Sequence, residues 1–155
     1  MNITSTAFVD GGFIPAQHSR NGGDGSPPLS IHGLPRKTRS IALVCHDPDA
    51  PRAGGFTHWV VWNIAPDIDE IVSGTLPPHA VEGINDWGVH QWGGPQPPSG
   101  VHRYIFYLYA LDTMLDLPTN TNRRGLEEAI QDHLLETATI TGLFGARRTT
   151  TMQGG

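Results

Sequence analysis

Three stretches of the chain are apolar almost without interruption, and each ends at a turn former. Ser40 to His46 (SIALVCH) stops at Asp47-Pro48, Thr57 to Ala65 (THWVVWNIA) stops at Pro66, and Val101 to Leu111 (VHRYIFYLYAL) is the longest. Runs of this length, rich in β-branched and aromatic residues and apolar at both odd and even positions, predict strands buried on both faces, central in a layered β structure. A weaker strand is expected near Ile3 to Val9, and a short extended piece near Leu29 to Ile31, between clusters of Gly, Asp, Asn, Ser and Pro. Helical periodicity stands out once. Leu126, Ala129, Ile130, His133, Leu134 and Ala138 recur at spacings of three and four, which predicts a helix over Arg123 to Thr139 with Thr121 or Asn122 as its cap.

Composition agrees with a loop-rich β protein. Gly (19) and Pro (13) are abundant, while 37% hydrophobic residues is too high for a disordered chain. At 155 residues one domain spanning residues 1–155 is expected, with the polar tail 147–155 frayed. The single cysteine, Cys45, excludes an intrachain disulfide. No cationic start leads into an apolar run, and no apolar stretch reaches the roughly 18 residues of a membrane span, so a cytoplasmic protein is expected. A net charge of −5 leaves no basic face for nucleic acid or for an anionic membrane.

The candidate chemistry lies at strand ends. Alternation puts His102 and Tyr104 on one face of their strand with Arg103 opposite, and puts His58 with Val60 and Trp62. If the three strands are neighbours, Asp47, Asp49, His58, His102 and Tyr104 converge at one rim and border a pocket. Taken singly, each has an ordinary structural reading: a hydrogen-bonded histidine, or a turn aspartate before proline. The loop Gly93-Gly94-Pro95-Gln96-Pro97-Pro98-Ser99-Gly100 is either a plain tight connection or a stiff wall that lets an oxyanion approach the backbone. Neither HExxH nor paired-cysteine spacing is present, so no metal and no cofactor are expected. GxSxG and the phosphate-binding GxxxxGK[ST] are also missing, and Cys45 reads as a packed side chain.

DPDAP (Asp47 to Pro51), His58-Trp59, SPPLS (Ser26 to Ser30), GINDWG (Gly83 to Gly88) and the run from Gly94 through HRYIFYLYALD together resemble the phosphatidylethanolamine-binding protein family, in its bacterial and archaeal Raf-kinase-inhibitor-like branch. The likeness spans roughly residues 3 to 145. It implies an antiparallel β-sandwich with a few short helices, including one near the C-terminus. It also implies a pocket for phosphoryl or carboxylate anions, lined by Asp47, Asp49, His58, Gly94, His102 and Tyr104. Departures fall at Gln96, where the branch often has Cys, at Trp92 for Tyr, at Ile31 for Trp, and in the terminal GLFGARR. The expected role is a non-enzymatic binding protein for a small anion, forming a homodimer and acting on a kinase or protease partner. The alternatives are a weak hydrolase with His58 or His102 as general base, or a protein that works through its exposed loops alone.

Overall fold

The computed structural model describes residues 1–146, so the expected fraying of 147–155 lies outside the described residues. Two antiparallel sheets face each other. The smaller one orders β1 (Asn2–Thr4), β2 (Leu29–His32) and β5 (Glu70–Ile71). The larger one runs β6 (Val81–Glu82), β4 (Phe56–Ile64), β3 (Ser40–Asp47), β7 (Val101–Leu111) and β8 (Leu134–Gly145). The three apolar runs are therefore adjacent and interior, and β7 has the bounds its sequence predicts.

Their two-sided apolar character has a direct cause. Odd positions of β3 (Ile41, Leu43, Cys45) and even positions of β7 (Phe106, Leu108) meet Ile3, Leu29, Ile31 and Ile71 across the sandwich. Ala42 and Val44, with Val60, Trp62, Tyr109 and Leu111, face the other way and are covered by Leu126 and Ile130 of helix α1 (Arg123–Ile130). One face of the large sheet is thus closed by a second sheet and the other by a helix.

Helix α1 is shorter than its periodicity predicts. Asn122 caps it, its side-chain oxygen accepting from the Gly125 N–H at 3.0 Å, but the helix ends at Ile130. Leu134 and Ala138 belong instead to β8, which pairs with β7 along its whole length, from Val101↔Gly145 to Leu111↔Leu134. Thr137, Thr139 and Thr141 alternate there with Ala138, Ile140 and Gly142, a period of two in β-branched residues that overrides the coincidental helical spacing. The first strand is also shorter than expected. It stops at Thr4, and Val9 lies exposed in the following loop.

That loop returns to cover the outer edge of β8. Gly11 N–H donates to the Thr141 carbonyl, Ile14 N–H to the Leu143 carbonyl, and Leu143 N–H to the Gly12 carbonyl. At the opposite side of the sheet, Gly83, Asp86 and Gly93 donate backbone N–H groups to Val60, Thr57 and His58 of β4. The segment 83–93 is thereby drawn along β4 and over the strand ends.

Candidate functional site

A cavity of about 280 Å³ opens where the inner rows of β3 and β7 run out of apolar residues. On β7 the inner row reads Leu108, Phe106, Tyr104, His102, and on β3 it reads Ile41, Leu43, Cys45, Asp47, so the sandwich core grades into protonatable groups without changing face. Asp47, His58, His102 and Tyr104 line this cavity with Ala50, Pro51, Arg52, Phe56, Trp87, Gln96, Pro97 and Pro98.

Asp47 holds two parts of the site at once. Its Oδ2 accepts from His102 Nδ1 at 2.6 Å, and its Oδ1 accepts from the Asp49 backbone N–H at 2.8 Å, closing the turn that follows β3. A carboxylate only accepts, so Nδ1 of His102 carries hydrogen and Nε2 is the atom left for a ligand.

His58 departs from simple alternation. Cys45 pairs with Trp59 and His46 with Thr57, so His58 is an extra residue with no partner on β3. This bulge turns His58 away from the face of Val60 and Trp62, where strict alternation places it, and onto the cavity side. There its ring meets Phe56, Trp87 and Tyr104 edge-on at centroid distances of 5.3, 5.0 and 5.1 Å. Its Nδ1 donates to the Gly93 carbonyl at 2.6 Å. Burial in this aromatic jacket lowers the His58 pKa from its ordinary 6.5 to about 4, against the weaker opposing pull of the Gly93 carbonyl and Asp47. Desolvation chiefly raises the Tyr104 phenol well above its ordinary range, and Asp47 adds to the effect.

Two of the six expected residues do not line the cavity. The Asp49 carboxylate instead accepts from the backbone N–H, Nε and Nη2 of Arg103, on the outer face of β7, at 2.8, 3.0 and 2.8 Å. The Arg103 hydrogen bonds pull its pKa down to about 2, and the pair pins the 48–55 loop to β7. Gly94 serves packing. Its N–H donates to Asp24 at 2.6 Å, and a Cβ there would lie 2.2 Å from the His18 carbonyl oxygen, in the turn of 3-10 helix Ala16–His18. The Gly93 N–H is likewise taken, by the His58 carbonyl. Both glycine amides are therefore engaged within the protein.

Sequence reasoning misses Arg52, which lines the cavity together with Trp87. Arg20 stacks over Trp87 at 4.2 Å and Arg52 over Phe56 at 5.3 Å, so cations flank the aromatic wall from both sides. The adjacency of Arg52 to DPDAP was the available signal.

A profile of the phosphatidylethanolamine-binding proteins matches residues 4–145. The chain belongs to that family. A UPF0098 protein of Methanothermobacter thermautotrophicus is 47% identical over 149 residues, covering 93% of this chain and 98% of its own. Among solved structures, a phosphatidylethanolamine-binding protein homolog from Chlamydia trachomatis superposes with a TM-score of 0.90 at 36% identity, covering 94% of this chain and 97% of that one. YbcL of Escherichia coli, described as a member of the mammalian family, gives 0.89 at 30% identity and covers 94% and 98%.

Within the phosphatidylethanolamine-binding fold, the departures of this chain separate in space. Gln96 lines the cavity. Trp92 is core: it stacks on Phe106 at 5.9 Å, meets Trp59 edge-on at 5.7 Å, and donates Nε1–H to the His18 carbonyl.

Proposed function

We propose that the cavity binds a small anion, a phosphoryl or carboxylate group, without turning it over. The observation that carries this reading is the Asp47–His102 pair. Its geometry commits Nδ1 to the carboxylate and leaves Nε2 toward the cavity, where an imidazolium N–H donates a charge-assisted bond to an oxyanion. Arg52 at the rim adds a second positive charge. The groups able to attack a substrate are poorly placed for it: Cys45 is sealed in the core with its thiol pushed up by burial, and the Tyr104 phenol is held protonated. Regulation of a kinase or protease partner and association as a homodimer belong to the same proposal and rest on the family.

A charge-assisted hydrogen bond contributes roughly 1.5–3 kcal/mol, so His102→Ala is expected to weaken phosphate binding by about tenfold to a hundredfold with the fold intact. Calorimetric titration with inorganic phosphate reads the effect, and equal affinity of variant and wild type overturns the reading. The same His102–Asp47 pair is also the arrangement of a general base with its orienting carboxylate, which favours the hydrolase as second reading. Turnover of a phosphate or carboxylate ester that vanishes in His102→Ala decides for it.

A further inference from the structure

The strand end that bears the cavity has a second face, turned toward α1. On β3 the outer row of Ala42 and Val44 runs on to His46, just as the inner row runs on to Asp47. Thr57 of β4 pairs with His46 across the ladder. Its Oγ1 meets His46 Nδ1 at 2.9 Å and accepts from Arg123 Nε–H at 3.2 Å. The 52–55 turn lies close over this end, because a Cβ at Gly55 would stand 2.8 Å from His46 Nε2 and glycine has none. Between that turn and the start of α1 opens a cavity of about 240 Å³.

Cations dominate its walls. Arg52, Arg123 and Arg124 line it, three of the ten basic residues in a chain of net charge −5. Arg123 is partly engaged, its Nη1 donating to both Glu127 carboxylate oxygens at 3.0 and 3.1 Å. The arginine ion pairs among the described residues are this one and Arg103–Asp49, so Arg52 and Arg124 are unpaired there. Asp86 is the carboxylate on the wall, and its Oδ2 accepts from the Thr57 backbone N–H at 2.7 Å. Three guanidinium groups against Asp86 and Glu127 leave the cavity positive. Like charges gathered around one small space repel, and an anion between them removes the repulsion.

Arg52 belongs to both cavities. Residues 50–52 line the strand-end cavity and residues 52–55 the other, so the 48–55 loop is the wall between them. From this arrangement we infer that the α1-side cavity is a second anion site, taking a small dianion, and that it competes with the strand-end cavity for Arg52. Two unpaired guanidinium groups call for two negative charges, and the planar fork of Arg124 donates two parallel N–H bonds to phosphate or carboxylate oxygens. Arg52 has one charge and one fork. An anion on one side of the loop therefore weakens the hold on an anion at the other, equally in both directions. The competition rests on the anion-binding reading above; the second site stands without it.

NMR titration of the full-length protein with inorganic phosphate at about pH 7 tests both parts, since a phosphate group with its second ionisation at about 6 is mostly dianionic there. The amides of Gly54 and Arg124 report the second site, and those of Gln96 and His102 report the first. Each pair is expected to shift along its own saturation curve. Arg124→Gln removes the fork, and the Gly54 response should weaken about tenfold. Phosphate affinity read at Gln96 and His102 should then rise about fivefold, because Arg52 is released. Acetate, a monoanion, is expected to bind about tenfold more weakly than phosphate at Gly54. No saturable shift at Gly54 and Arg124, or a full response at Gly54 in Arg124→Gln, overturns the second site. Acetate as tight as phosphate overturns the assignment of a dianion. Unchanged affinity at Gln96 and His102 in Arg124→Gln overturns the competition. Saturation at Gly54 with no response at Gln96 and His102 removes the anion-binding reading above and leaves the second site in place.

Discussion

His58 is held neutral by burial, and this has a cost in acid. Its folded pKa, about 4, lies below its ordinary 6.5, so the unfolded chain takes up a proton first as pH falls. The stability that His58 contributes is complete above pH 6.5 and is lost between pH 6.5 and about 4. One proton taken up only on unfolding gives a slope of about 1.4 kcal/mol per pH unit in that window. His46 adds in the same direction, since burial chiefly and Arg123 next lower its pKa too. Urea unfolding across the window should therefore show a shallower pH slope for His58→Asn than for wild type, whatever the variant costs at neutral pH. An unchanged slope rules out a neutral buried His58. Residue chemistry was partly legible beforehand. Asp47, His102 and Tyr104 were readable because one strand's alternation and one turn place them. The strand-end position of His58 and the family likeness both point to the rim, while alternation assigns it the wrong face, because nothing in Thr57-His58-Trp59 marks a bulge. Gly94 signalled that no side chain is tolerated there, but not that the obstacle is the His18 carbonyl and not a ligand.

Strand β8 is the element that sequence periodicity misassigned, and its packing explains how tightly it is specified. At Gly142 a Cβ would stand 2.4 Å from Ile14 Cγ1 and 3.0 Å from the Phe8 ring, both buried side chains of the N-terminal loop. Gly142→Val forces that loop off the strand and is expected to cost about 1–3 kcal/mol, by overpacking and not through backbone strain. The urea midpoint measures it; a midpoint equal to wild type means the loop does not press on β8. Strands β3, β4 and β7 needed no such detail to be recognised, since apolar residues on both faces have only one economical place in a β protein. The helix was recognisable by Leu126 and Ile130, and its end was not, because Leu134 and Ala138 fit either period. The 48–55 loop shows the reverse case. Asp49 has an obvious carboxylate role in the sequence, yet its partner Arg103 lies on another strand's outer face and no local pattern announces the pairing.

At the scale of the molecule, the large sheet is closed on one face by the small sheet and on the other by α1, and the cavity opens where the inner rows run out of apolar residues. Fold class was legible because that closure writes itself into three continuous apolar runs. The small sheet was only partly so, with strands of three, four and two residues. Trp92 is core and unavailable to the proposed homodimer, whereas Trp87 stays half-buried beside Arg20 and the cavity rings. Sedimentation at micromolar concentration is expected to show a dimer, and a monomer throughout the range excludes it. The N-terminal loop constrains how such a dimer forms. With backbone groups of Thr141 and Leu143 already bonded to residues 11–14, that stretch of β8 has no free ladder to offer a neighbouring chain. A second copy must therefore meet this end of the sheet through side chains, and a misfolding chain finds no template there on which to grow a fibre.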